Sequence, residues 1–133
     1  MGFKRGIIQD GGLSRAMRAG DGSTFNPVLK TIAADANDVI TVDEIAGGAI
    51  MYTGFTVGRN LTTETAANII AGNPEMDVGD SIHMLVSIIP ALAGTFVAGA
   101  GVTLAGRTTC PAASSVPVFI VRTGAATVTW TVL

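Results

Sequence analysis

The sequence predicts an all-β fold: an antiparallel sandwich or jelly-roll-like barrel with one short helix and an extended N-terminal arm. Three observations lead there. Roughly seven or eight short runs rich in β-branched and aromatic residues are separated by turn signals about every ten residues. Only one segment repeats with a helical period, too few for an α/β plan. Finally, 48% of the 133 residues are hydrophobic and 14% charged, with a mean hydropathy of +0.51. Ordinary soluble domains carry about 25% charged residues. The deficit excludes disorder of the whole chain and implies that part of the surface is covered by copies of the chain or by a partner.

Taken in order, residues 1–36 hold Gly2, Gly6, Gly11, Gly12, Gly20 and Gly22 and keep no sustained period, so they predict an arm ordered mainly by contacts. Its apolar beads, Phe3, Ile7, Ile8, Leu13, Met17, Phe25 and Val28, suit pockets on a neighbour. Residues 37–133 form the expected body. After a turn at Asn37 and Asp38, VITVDEI alternates Val39, Thr41 and Asp43 with Ile40, Val42 and Glu44, the pattern of a strand with one wet face. Gly47 and Gly48 bend the chain into AIMYTGFTV, a second strand with a plausible bulge at Gly54.

The one expected helix is capped by Thr62 or Thr63, with Glu64 at its positive end. Ala66, Ala67, Ile69 and Ile70 form its apolar stripe, and Gly72 and Pro74 stop it. SIHMLVSII sets Ile82, Met84, Val86 and Ile88 against His83, Leu85, Ser87 and Ile89, too apolar on both sides for an exposed sheet, and predicts a central strand. TFVAG, VTLAG, VPVFIVR and TVTWTVL follow as short strands, the last with Val128, Trp130 and Val132 on one face and threonines on the other.

Charge is unevenly spread. Residues 1–30 carry Lys4, Arg5, Arg15, Arg18 and Lys30 against Asp10 and Asp21, whereas the rest has Arg59, Arg107 and Arg122 against the remaining acids. A basic arm on an acidic body suits docking on an acidic protein surface or a solvated tail, whereas five cations diluted among glycines are poor evidence for nucleic acid, which calls for clustered cations with stacking aromatics. Residues 84–106 lack charge, but Pro90 and the glycines after it, without basic or aromatic flanks, argue for buried strands and not a membrane helix. The first twelve residues have no apolar stretch long enough for a secretory signal, which favours release inside the producing cell.

Catalysis finds little support. The chain has one His, His83, in an apolar strand, and one Cys, Cys110, which cannot form an internal disulfide. Its serines lack a nucleophile elbow, and Asp77, Gly79 and Asp80 lack calcium-loop spacing. The GAG at 99–101 leads into a strand and so cannot present a helix N-terminus to a pyrophosphate. The expectation is a protein that is not an enzyme and uses no metal or cofactor.

TAANIIAGNPEMDVGDSIHMLVSII followed by GAGVTLAGRTTCPAASSVPVFIVRTGAATVTWTVL, about residues 63–133, resembles a domain of virion proteins of tailed bacteriophages. There a short Ala/Ile helix precedes a VGDS turn and strand, a glycine-flanked strand, a long strand and a closing Thr/Val strand. Small chains of this plan resemble capsid cement or decoration proteins, and the resemblance implies a jelly-roll or barrel body. It implies a homodimer or homotrimer on the capsid exterior, assembled in the host cytoplasm, that clamps adjacent major capsid subunits without direct contact to nucleic acid or membrane. Phe3, Lys4, Arg5, Ile7, Ile8, Arg15, Met17, Arg18 and Phe25 would then contact the capsid, and Ile82, Met84, Val86, Ile88, Val128, Trp130 and Val132 would form the core or oligomer face. Collar, tail and fibre proteins share similar domains, so a receptor- or glycan-binding β-domain is the alternative, with an exposed Trp130 as its stacking platform.

Overall fold

A computed structural model describes residues 27–133; the capsid-contact residues expected between Phe3 and Phe25 lie outside them. Among the described residues the architecture is all-β, with two facing sheets and two short helices. Strands β1 (Val28–Ile32), β3 (Gly48–Tyr52), β5 (Ser81–Ile88), β7 (Val102–Gly106), β9 (Ser114–Arg122) and β10 (Val128–Val132) make a six-stranded sheet in the order β1-β3-β5-β9-β10-β7. Strands β2 (Asp38–Ile40), β4 (Arg59–Thr63), β6 (Gly94–Val97) and β8 (Thr109–Cys110) make a four-stranded sheet in that order.

The antiparallel expectation is corrected here. From β1 to β6 the chain crosses between the sheets at every strand, so each return enters a sheet in the same direction. The pairs β1–β3, β3–β5, β2–β4 and β4–β6 are therefore parallel, as is β7–β10. Only β5–β9, β9–β10 and β6–β8 are antiparallel. Parallel neighbours need a long crossover. Here a strand of the opposite sheet supplies it, and a turn every ten residues does not reveal whether the chain folds back beside itself or crosses over.

Two helices replace the one expected. VITVDEI is not one strand: β2 ends at Ile40, and α1 (Val42–Gly47) begins under a capping box. The Thr41 hydroxyl accepts from the Glu44 N–H at 3.3 Å, and the Glu44 carboxylate accepts from the Thr41 N–H at 3.0 Å. Two otherwise unpaired donors are thereby satisfied, which outweighs the alternation of the segment. Gly48, with φ 86°, ends the helix in the left-handed region.

The second helix, α2 (Ala66–Ala71), is capped by Thr65, whose hydroxyl accepts from Asn68 N–H at 3.2 Å. Thr62 and Thr63, the expected caps, close β4 instead, and buried Thr63 accepts from Gly99 N–H at 2.8 Å. Ala66 and Ile69 of α2 are buried in the core and Ile70 packs partly buried against it, while Ala67 is exposed. Both helices stand at the same stage of successive windings, between a strand of the small sheet and one of the large sheet.

Two further expectations change. The strand read through AIMYTGFTV stops at Tyr52, and Gly54 marks a close approach, not a bulge: a Cβ there would lie 1.9 Å from the Ala33 carbonyl oxygen. Strand β5 is interior to its sheet, with one face fully covered and the other covered only at Ser87, which bonds Ser115. Ile82, Met84, Val86 and Ile88 are buried, whereas His83 and Leu85 are exposed.

The core lies between the sheets. Trp130, Ile50, Val86 and Ile88 from the large sheet meet Leu61 and Phe96 from the small one, and Ile45 and Ile69 plug it from the helices. Burying each such aliphatic side chain contributes about 1.5–3 kcal/mol. The uncharged stretch 84–106 is spent on β5, β6 and β7 with their turns, and among the described residues no helix is long and apolar enough to cross a membrane. Val28–Ile32, within the expected arm, is an edge strand of the large sheet.

Candidate interaction surface

The seven residues expected at the core or oligomer face, Ile82, Met84, Val86, Ile88, Val128, Trp130 and Val132, are all buried between the sheets. The positions alternating with them point the other way and build the outer face of the large sheet. The register sets them in rows across the strands. Ala49, Leu85 and Pro117 are aligned, as are Met51, Ser87 and Ser115. His83, Phe119, Thr131 and Ala105 make a further row, and Ser81, Val121, Thr129 and Thr103 the next. Leu29 and Thr31 of β1 extend the first two rows to the edge.

None of these positions carries a formal charge at neutral pH with His83 neutral. Leu29 is 55% exposed and Leu85 41%. Side chains on this face contact one another. The His83 ring stacks on Phe119 with centroids 4.3 Å apart and lies 3.0 Å from the Ser81 hydroxyl, while the Ser87 and Ser115 hydroxyls share a hydrogen bond of 2.6 Å. Its exposed apolar positions, Leu29, Leu85 and Pro117, lie among serines and threonines, and Ala49 and Ser87 are buried within it.

The ionised groups gather elsewhere. Asp35 accepts from the Thr56 hydroxyl and N–H and from Arg59, whose Nη2 lies 2.9 Å away; these hydrogen bonds, Thr56 first, hold its carboxyl below the usual range. Arg122 is spent on three carbonyls, Met76 at 2.6 Å, Gly124 at 2.9 Å and Ala125 at 3.3 Å, which pins the turns at one end of β9. Lys30 reaches Glu44 at 3.4 Å across an open cleft of about 300 Å³ between β1 and α1. The cleft sits at the lower bound of ligand pockets and is bridged by that pair.

Groups with possible chemistry are turned inward. Burial pushes the Cys110 thiol up, and its Sγ lies 3.7 Å from the Val86 carbonyl. Burial, and then donation to Asp38 at 2.7 Å, raise the Tyr52 phenol far above its ordinary value. Among the described residues no group of three or more His, Cys, Asp or Glu side chains is placed to hold a metal ion. Trp130 and Tyr52 are fully buried, so neither is a platform on which a sugar stacks.

Sequence reasoning singled out the inward residues and missed the outward ones. The signal that finds them is present: in β5, β7, β9 and β10 the positions between the core residues are Ser, Thr, Ala, Pro, His or apolar, never Lys, Arg, Asp or Glu. No protein family, curated protein or solved structure matches the chain.

Proposed function

We propose that this chain is a non-enzymatic structural protein of a virus particle, a capsid cement or decoration protein that binds across adjacent major capsid subunits and stabilises the head. The observation that carries this reading is the uncharged outer face of the large sheet. A protein with 14% charged residues leaves one side of its sandwich without any, which suits permanent cover by protein. In this role the sandwich does what jelly-roll bodies do in cement proteins of tailed bacteriophages.

Its partners are the major capsid protein and further copies of itself, on the capsid exterior after assembly in the host cytoplasm. Many individually weak contacts repeated over a shell act together, because each bound copy is held at high effective concentration beside the next site. The acidic body and the basic residues before Asp21 allow two different surfaces of the shell to be engaged. A glycan-binding tip draws support from exposed aromatic side chains, and Trp130 and Tyr52 are buried.

Quantitative mass spectrometry of purified particles tests the proposal. Copy number comparable to that of the major shell subunit is the expected result. A handful of copies per particle would assign the chain to a tail, collar or fibre, and absence from particles would end the virion reading.

A further inference from the structure

The large sheet ends in two strands that are unpaired on their outer sides among the described residues, β1 and β7, and the two match. Each is five residues long, VLKTI and VTLAG. Following the pairings across the sheet, β1, β3 and β5 run one way, β9 runs against them, and β10 and β7 return to the first direction. Thus β7 of one molecule and β1 of another can lie side by side as parallel strands of one continuous sheet.

The hydrogen-bonding groups agree with that. Thr53 N–H donates to the Ile32 carbonyl at 3.0 Å, so Val28, Lys30 and Ile32 bond towards β3 and Leu29 and Thr31 turn their N–H and C=O outward. On β7, Val128 N–H donates to Gly101 and Arg107 N–H to Val132, which leaves Leu104 with both groups outward. The carbonyl of Val102 and the N–H of Gly106 point the same way. Joined in parallel, Leu29 and Thr31 N–H donate to Val102 and Leu104, and Leu104 and Gly106 N–H donate to Leu29 and Thr31. This register sets Leu29 beside Thr103 and Thr31 beside Ala105, all on the outer face.

Side chains favour this pairing over its rivals. Natural edges are usually blocked by charge, proline or a bulge. Here β7 has no charged residue, and the single cation of β1, Lys30, is paired with Glu44. Val28 and Leu29 are 71% and 55% exposed, so the edge that most needs cover is β1. Two copies of β1 joined antiparallel about their midpoint would place Lys30 against Lys30, which is unfavourable. Pairing β7 with β7 would leave β1 open.

We infer that copies of this chain associate head to tail, β7 of one against β1 of the next, through one continuous sheet. A contact between two different patches propagates from copy to copy, giving a closed ring where the rotation per copy completes a full turn and an open filament where it does not. The inference concerns self-association alone and is tested without any shell.

Two full-length single variants, Leu29→Cys and Thr103→Cys, are mixed and oxidised, one of them tagged so that the products differ in mass. A disulfide-linked pair containing one of each, formed in the mixture and absent with Cys110 as the only cysteine, is the expected result. Linkage in Leu29→Cys alone or in Thr103→Cys alone, or no linkage in the mixture, overturns the inference. As an independent measurement, Thr31→Pro removes an N–H that does not serve β3. Light scattering should then give the monomer mass with the circular dichroism spectrum unchanged, whereas retention of the wild-type assembly overturns it.

Discussion

Trp130 offers the sharpest internal test of the packing. It is fully buried at the centre of β10, its ring 6.4 Å from that of Phe96, and its indole N–H has no acceptor among the described residues. Trp130→Ala empties that space and should cost about 3–5 kcal/mol, a large part of the roughly 5–15 kcal/mol that holds a domain together. Trp130→Phe should behave differently. Losing the equivalent of one or two methylenes costs about 1–2 kcal/mol, while deleting an unsatisfied buried donor returns about 1–3 kcal/mol. The two nearly cancel, so the phenylalanine variant should lie within about 1 kcal/mol of wild type. Urea unfolding followed by circular dichroism, with equal slopes confirming comparable unfolded states, measures both. If Trp130→Phe costs as much as Trp130→Ala, the N–H is anchored and the argument is refuted.

Two further predictions rest on close contacts and titration. Gly54→Ala, whose Cβ would meet the Ala33 carbonyl oxygen at 1.9 Å, should cost about 3 kcal/mol or more. Gly58→Ala, where the nearest atom is 3.5 Å away, should cost under about 1 kcal/mol; equal urea midpoints for the two would contradict the assigned approach. Stability should also fall in alkali. The unfolded chain releases the Cys110 and Tyr52 protons near their ordinary values of 9.0 and 10.0, whereas burial keeps both groups protonated in the fold. Their contribution is therefore full below about pH 9 and is lost as pH rises, by up to about 1.4 kcal/mol per pH unit for each group. Tyr52→Phe should flatten the upper part of that decline; a urea midpoint constant from pH 8 to pH 11 would contradict it.

The parts of the fold that were legible in the sequence are those set by local alternation. The inward residues of β5 and β10 can be read from SIHMLVSII and TVTWTVL because side chains on a strand alternate strictly between two faces. Which strand lies beside which is a long-range choice, and nothing in a ten-residue spacing distinguishes a hairpin from a crossing between sheets. The segment around Thr41 was misread because its alternation fits a strand while Thr41 and Glu44 form a capping box, and the box wins by satisfying backbone donors. The candidate surface is not legible in the sequence for a different reason. A row such as His83, Phe119, Thr131 and Ala105 is assembled from four strands, so its lack of charge becomes a patch only once register is known.

Leu85 lies on the outer face of the large sheet, 41% exposed, and Leu85→Asp places a carboxylate there at small cost to the fold. Purified wild-type chain and this variant, sedimented with emptied phage heads over a range of concentrations, test directly whether the uncharged face is what binds. The account predicts saturable binding of the wild type and binding weakened at least tenfold, about 1.4 kcal/mol, for the folded variant. Wild-type chain left in the supernatant, or a variant that binds equally well, would contradict it.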